Sequence, residues 1–191
     1  MEKLAQILTN AIQRENSGLT ELQVKTIKFG LECLLGELSK LLMYFIIFSI
    51  FSLTQHFFIA VIFFCTLRII AGGYHEETYW RCFFTSFLIF TAIISIGTQI
   101  PLSIYIKASM LLISIILAWI YAPVDHPNKP IVSVDRRKRF KYLSVGAVVL
   151  MGGASLLLPS LYSGTAVAAI FFESISLPIG EFAKKKRKKN F

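Results

Sequence analysis

Residues 55–99 read QHFFIAVIFFCTLRIIA, then GGYHEETYWRC, then FFTSFLIFTAIISIGTQ, the breaks falling before Gly72 and before Phe83. Each outer run is apolar enough, and nearly long enough, to cross a bilayer core, which takes roughly 20 residues. The polar insert between them holds two glycines, a histidine, two glutamates, an arginine and a cysteine. Two membrane-crossing helices joined by a chemically reactive link explain this pattern. A soluble helix would need a polar stripe along its length, and neither outer run has one.

The same alternation extends along the chain. Among 191 residues, 55% are hydrophobic and 14% aromatic, well outside the balance of a soluble domain. Six crossings are expected, at about 36–53, 55–71, 83–99, 102–121, 142–158 and 161–179. The fold class is therefore all-α: a polytopic membrane protein of about six transmembrane helices, preceded by amphipathic N-terminal helices. Leu4, Ile7, Leu8, Ala11 and Ile12 fall on one stripe of the first of these. After ENSGLTELQ, Ser17 or Thr20 can cap a second, carrying Leu22, Ile27, Leu31, Leu34 and Leu35. Such helices suit the bilayer interface. The domain reading is thus 1–35 for the interfacial helices, 36–181 for the membrane domain with its island at 68–82, and 182–191 for a polybasic tail.

Charge placement gives the orientation. Twelve of the 20 basic residues are Lys129, Arg136, Arg137, Lys138, Arg139, Lys141 and Lys184 to Lys189, in blocks beside apolar runs. They read as anchors to an anionic leaflet, not as a nucleic-acid surface. The links TQH, TQIPLS and LPSLYSG carry no Lys or Arg, whereas every other link does. The positive-inside rule then puts both termini and the island in the cytoplasm of a multi-pass protein. Lys107, inside the fourth span, is expected to snorkel outward. Glu173, inside the last, needs a partner or a neutral form unless that span is shorter than drawn, and Arg68 is the candidate partner.

No basic leader with a cleavage site opens the chain, so the N-terminus is expected to stay uncleaved. Cys33, Cys65 and Cys82 are odd in number and sit in or beside apolar runs, which points to reduced thiols. No phosphate-cradling G-x-x-x-x-G-K-[ST] motif is present, and nothing calls for a metal or cofactor.

Arg68, His75 and Cys82 are spaced seven apart. On a straight helix they would share a face, yet seven residues rise about 10.5 Å. A nucleophile and its base must approach to roughly 3 Å. Gly72 and Gly73 permit dihedrals closed to other residues, so a chain bent there can fold His75 back toward Cys82. A second route brings His75 of one protomer to Cys82 of another in a homodimer. With such contact, His75 takes the thiol proton and Cys82 attacks a carbonyl. On spacing alone the plainer reading stands beside it: an interfacial histidine and cysteine, a helix stop at the glycines, and solvated Glu76 and Glu77. Cys33 and Cys65 read as small apolar fillers.

RIIAGGYHEETYWRC resembles the signature of the AgrB family, the accessory gene regulator membrane endopeptidases of Gram-positive quorum sensing. Arg68, Gly72, Gly73, His75 and Cys82 occupy its positions, and YAPVDHPNKPI, with Pro123, Lys129 and Pro130, is similar to its second motif. The resemblance implies a cysteine endopeptidase with Cys82 as nucleophile and His75 as base. Arg68, Gly72, Gly73, Lys129 and Pro130 would be supporting or substrate-positioning residues. It implies an AgrD-type propeptide as substrate, cleaved through a thioester to the enzyme and closed into a thiolactone or lactone. No third catalytic member follows from it; Glu76, Glu77, Asp125 and Asp135 are candidates. The competing class is a small transporter or channel in which Glu173, Lys107 and Arg68 line a path and Cys82 does not react.

Overall fold

The computed structural model describes residues 2–16, 18–74, 78–125 and 133–189, with side chains as far as residue 185. Its described elements are seven α-helices, six of them long and apolar enough to cross a membrane. The chain is therefore a multi-pass helical membrane protein. It divides into two compact units, 1–52 and 53–191.

The first unit holds α1 (Glu2–Glu15) and α2 (Glu21–Ile50), packed on each other. Ala5 and Thr9 form the buried face of α1, while Leu4, Ile7, Leu8 and Ile12 remain exposed, leaving the apolar stripe free for lipid. Thr20 caps α2 through a capping box with Gln23. No second helix ends before residue 36: α2 runs unbroken for 30 residues, so the interfacial helix and the first span are one element. Gly30 and Gly36 have open space around them, and no proline stops the helix.

The second unit holds α3 (Thr54–Ala71), α4 (Tyr79–Gln99), α5 (Ile104–Tyr121), α6 (Val134–Leu157) and α7 (Ser160–Lys189). The α4–α5 and α6–α7 links are shorter than the TQIPLS and LPSLYSG drawn from the sequence, because the flanking helices extend into them. α7 packs against all four of the others. More than half of its most apolar window is buried, against a third or less in the others. Its sequence explains this central place: Ser163 to Ala169 is SGTAVAA, and small side chains let helix backbones come close. Gly97 of α4 lies directly against Thr165, where a Cβ would come within 2.6 Å of the Thr165 Cα.

Both basic blocks were expected in links or a tail, and both extend helices. α6 starts at Val134, capped by Ser133, and carries Arg136 to Lys141 in its first two turns. α7 continues past Pro178 into the basic tail. Lys107 does not stand free, because its ammonium donates to Ser163 Oγ at 3.0 Å.

Candidate active site

The site begins where α3 stops. Gly72, its C-cap, has φ +78° and Gly73 has φ +144°, conformations that L side chains rarely adopt. The glycine-permitted bend expected here is thus present. Beyond conformation there is no room: a methyl group on Gly72 would overlap the carbonyl oxygen of Val124. Gly72 and Val124 form an isolated parallel bridge, in which the Val124 N–H donates to the Ala71 carbonyl at 2.9 Å. The two polar motifs, distant in sequence, meet at one end of the second unit.

Behind the bridge lies the carboxylate within a span for which the sequence offered Arg68 as partner. Glu173, on α7, is fully buried, and Arg68 Nη1 donates to its Oε2 at 2.9 Å. Arg68 is therefore the partner of Glu173, and α7 passes through that point without interruption. The other guanidinium nitrogen, Nη2, donates to the carbonyl oxygen of Tyr74. The Arg68 guanidinium also sits 5.6 Å from the centroid of the Phe64 ring. One side chain thus ties α3 to α7 and holds the backbone immediately before His75. Planar, forked donors suit arginine to this double task.

Gly73 is pressed against the same face of α7. A Cβ there would lie 2.6 Å from Ser176 Oγ and 2.9 Å from Glu173 Oε1. Gly180, one turn further, provides matching room: a Cβ on it would lie 2.9 Å from the Tyr74 nitrogen. Asp125, just after Val124, is buried and forms ion pairs with Lys184 of α7 and, at 3.5 Å, with Arg137 of α6. Arg137 also donates to the Pro123 carbonyl at 3.4 Å. Two cations hold Asp125, which gives this candidate third member a structural task. Asp135 is exposed at the start of α6.

Cys82 is the fourth residue of α4, which begins at Tyr79, earlier than the Phe83 start expected for this span. Its amide donates to the Thr78 carbonyl at 2.9 Å. Trp80 and Phe84 are exposed, while Cys82, at 8%, and Phe83 turn into the protein. The thiol therefore lies on the inner face of α4, beside a cluster in which Trp80 and Phe84 each pack on Phe83, with ring centroids 6.0 and 5.4 Å away. None of Cys33, Cys65 and Cys82 is in a disulfide. His75, Glu76, Glu77, Lys129 and Pro130 lie outside the described residues.

Of the residues singled out in the sequence, the fold brings together Arg68, Gly72, Gly73 and Glu173, with Pro123 close by. Val124, Ser176, Gly180 and Lys184 were not foreseen as members. Val124 lies in the quoted second motif and Lys184 in the basic block, but neither pattern pointed to these contacts. Lys107 stands apart: its partner Ser163 is ten residues from Glu173 on α7, about 15 Å along the axis. The three charges of the transporter reading are thus tied up at two separate levels.

A helical membrane protein that folds two polar motifs onto a buried arginine–glutamate pair, with a cysteine turned inward at the next helix start, defines the class. The chain belongs to the accessory gene regulator B (AgrB) family, whose profile matches residues 2–177. It is 26% identical over 193 residues to a putative AgrB-like protein of Clostridium acetobutylicum, covering all of this chain and 92% of that one. It is 28% identical over 134 residues to a putative AgrB-like protein of Clostridium beijerinckii, covering 70% of this chain and 66% of the relative. Protein FsrB of Enterococcus faecalis is 27% identical over 125 residues, 64% of this chain and 50% of its own. No solved structure matches the chain significantly. Membership associates the chain with processing in agr-type quorum sensing and implies an AgrD-type partner.

Proposed function

We propose that the chain is a membrane-embedded cysteine endopeptidase that removes the C-terminal segment of an AgrD-type propeptide and promotes closure of a thiolactone or lactone ring. Cys82 is the nucleophile and His75 the general base. The observation that carries this reading is the anchoring of Tyr74. Its carbonyl is held by Arg68, itself fixed by Glu173, and the backbone leading into it is confined where Gly73 and Gly180 meet. His75 is the next residue in the sequence, and the chain re-enters a helix at Tyr79 with Cys82 in its first turn. A short tether between two fixed points suits a dyad that must keep a contact of roughly 3 Å.

The chemistry then runs in two acyl transfers. His75 takes the Cys82 proton as sulfur attacks the scissile carbonyl; the C–N bond breaks and the leaving amine takes that proton. A thiol or hydroxyl within the peptide next attacks the thioester, His75 accepting its proton, and Cys82 leaves as the thiol. Turning an amide into a thioester is uphill, so removal of the released segment draws the reaction forward. Water must be kept off the thioester, and burial of Cys82 beside Phe83 serves that need.

The cation-rich segments support the orientation. Arg137 and Lys184 converge on Asp125 beside the Gly72–Val124 bridge, so the basic ends of α6 and α7 share one end of the unit with the site. By the positive-inside rule that end and both termini are cytoplasmic, at the inner face of a bacterial cell membrane. The test is cleavage of a synthetic precursor by purified protein in liposomes. Wild type should release the C-terminal segment, while Cys82→Ala and His75→Ala should release none. Cleavage by Cys82→Ala at the wild-type rate would end the proposal.

A further inference from the structure

We infer that a cavity between the end of α5, the start of α6 and the end of α7 is a binding site for the headgroup of an anionic phospholipid. It encloses about 440 Å³. Arg137, Lys138, Lys141 and Lys185 line it, against a single carboxylate, Glu181. With Arg137 paired to Asp125 and Glu181 the one carboxylate in the lining, Lys138, Lys141 and Lys185 leave the cavity an excess of positive charge. A phosphate diester meets it with charge and acceptor oxygens together. Glu181 Oε2 is buried with no hydrogen-bond partner among the described residues, an acceptor for a hydroxyl on the headgroup. The headgroup chemistry that satisfies both is a phosphate bearing a polyol.

Two observations select lipid over an acidic peptide. Ile120 and Val134, which line the cavity, are among the exposed apolar residues of helices that cross the membrane, so the cavity borders the lipid-facing surface. Lys141 lies 4.9 Å from the centroid of the exposed Trp119 ring, and Trp119 packs edge-on against exposed Tyr142 at 6.3 Å. Trp and Tyr at a helix end mark the headgroup level, where basic pockets between helices take anionic lipids. Arg137 also pairs with Asp125, so a bound headgroup would bear on the loop that bridges to Gly72.

The test is native mass spectrometry of the full-length protein, delipidated in detergent and titrated with phosphatidylglycerol or with phosphatidylcholine of the same chains. Saturable retention of one phosphatidylglycerol, preferred at least tenfold over phosphatidylcholine, is expected. Lys138→Gln/Lys141→Gln should weaken retention about thirtyfold, at about fivefold per cation, with helical circular dichroism unchanged. Lys25→Gln/Lys28→Gln should leave it intact. Glu181→Leu should abolish any preference for phosphatidylglycerol over phosphatidic acid. Equal retention of phosphatidylcholine and phosphatidylglycerol by wild type overturns the inference without reference to any variant. So does equally tight binding of soluble glycerol phosphate, or displacement of the lipid by a short acidic peptide where a neutral one fails.

Discussion

Replacing Arg68 by lysine separates the two tasks of that side chain. In the structure Nη1 meets Glu173 at 2.9 Å while Nη2 holds the Tyr74 carbonyl. At that distance the attraction between unit charges is about 6 kcal/mol for an effective dielectric of 20. Removing one member of a buried pair costs about 3–5 kcal/mol, because the other charge is left uncompensated. The Arg68 side chain is 24% exposed, so the lower end applies. Glu173→Ala should therefore lower unfolding stability in detergent by about 3 kcal/mol. Arg68→Met/Glu173→Met, with no charge left to strand, should recover most of that loss. It should not recover processing, because nothing then holds Tyr74. A lysine at position 68 keeps the charge opposite Glu173 but cannot fork to both partners. Loss of one charged hydrogen bond at about 1.5–3 kcal/mol corresponds to a fall in processing of about 10- to 150-fold at nearly native stability. The assays are thermal unfolding followed by circular dichroism and precursor cleavage in liposomes. Wild-type cleavage by Arg68→Lys, or strictly additive stability losses for Arg68→Met and Glu173→Met, would refute the reasoning.

Other substitutions have distinct signatures. Gly72→Ala drives a methyl group into the Val124 carbonyl and should abolish cleavage while breaking the bridge, seen as faster amide exchange at Val124. Gly73→Ala meets Ser176 Oγ at 2.6 Å, so adding Ser176→Ala should restore part of the lost activity; the remainder is the contact with Glu173 Oε1 at 2.9 Å together with backbone strain of about 1–3 kcal/mol. Gly36→Ala, in open space within α2, should raise stability by about 0.5–1 kcal/mol and leave cleavage unchanged. Thr20→Ala removes a capping box and should lower the stability of the first unit by about 1 kcal/mol, measurable as increased amide exchange near Gln23.

Much of this arrangement is written in local sequence. Long apolar runs and the glycine stop are short-range signals, and each produces the element expected; the uncharged hairpins are shorter than drawn, because TQH and most of LPSLYSG fall inside α3 and α7. The Arg68–Glu173 pair was legible for a related reason: a carboxylate inside a span is too costly to stand alone. What escaped was of two kinds. Helix continuity was underestimated in α2, α6 and α7, because Gly36 and the basic blocks resemble breaks and tails, whereas backbone hydrogen bonding near a bilayer favours extending a helix. Long-range contacts escaped as well. The approach of Val124 to Ala71, of Gly180 to Tyr74 and of Lys184 to Asp125 depends on tertiary packing that has no periodicity to read.

Processing through Cys82 passes through one covalent bond, so the most direct measurement is the intact mass of the protein after brief incubation with precursor and acid quench. The account predicts an added mass equal to the precursor without its C-terminal segment, mapped by digestion to Cys82, released by hydroxylamine and absent in Cys82→Ala. A mature ring formed at an undiminished rate by Cys82→Ala, with no adduct on the wild type, would contradict it.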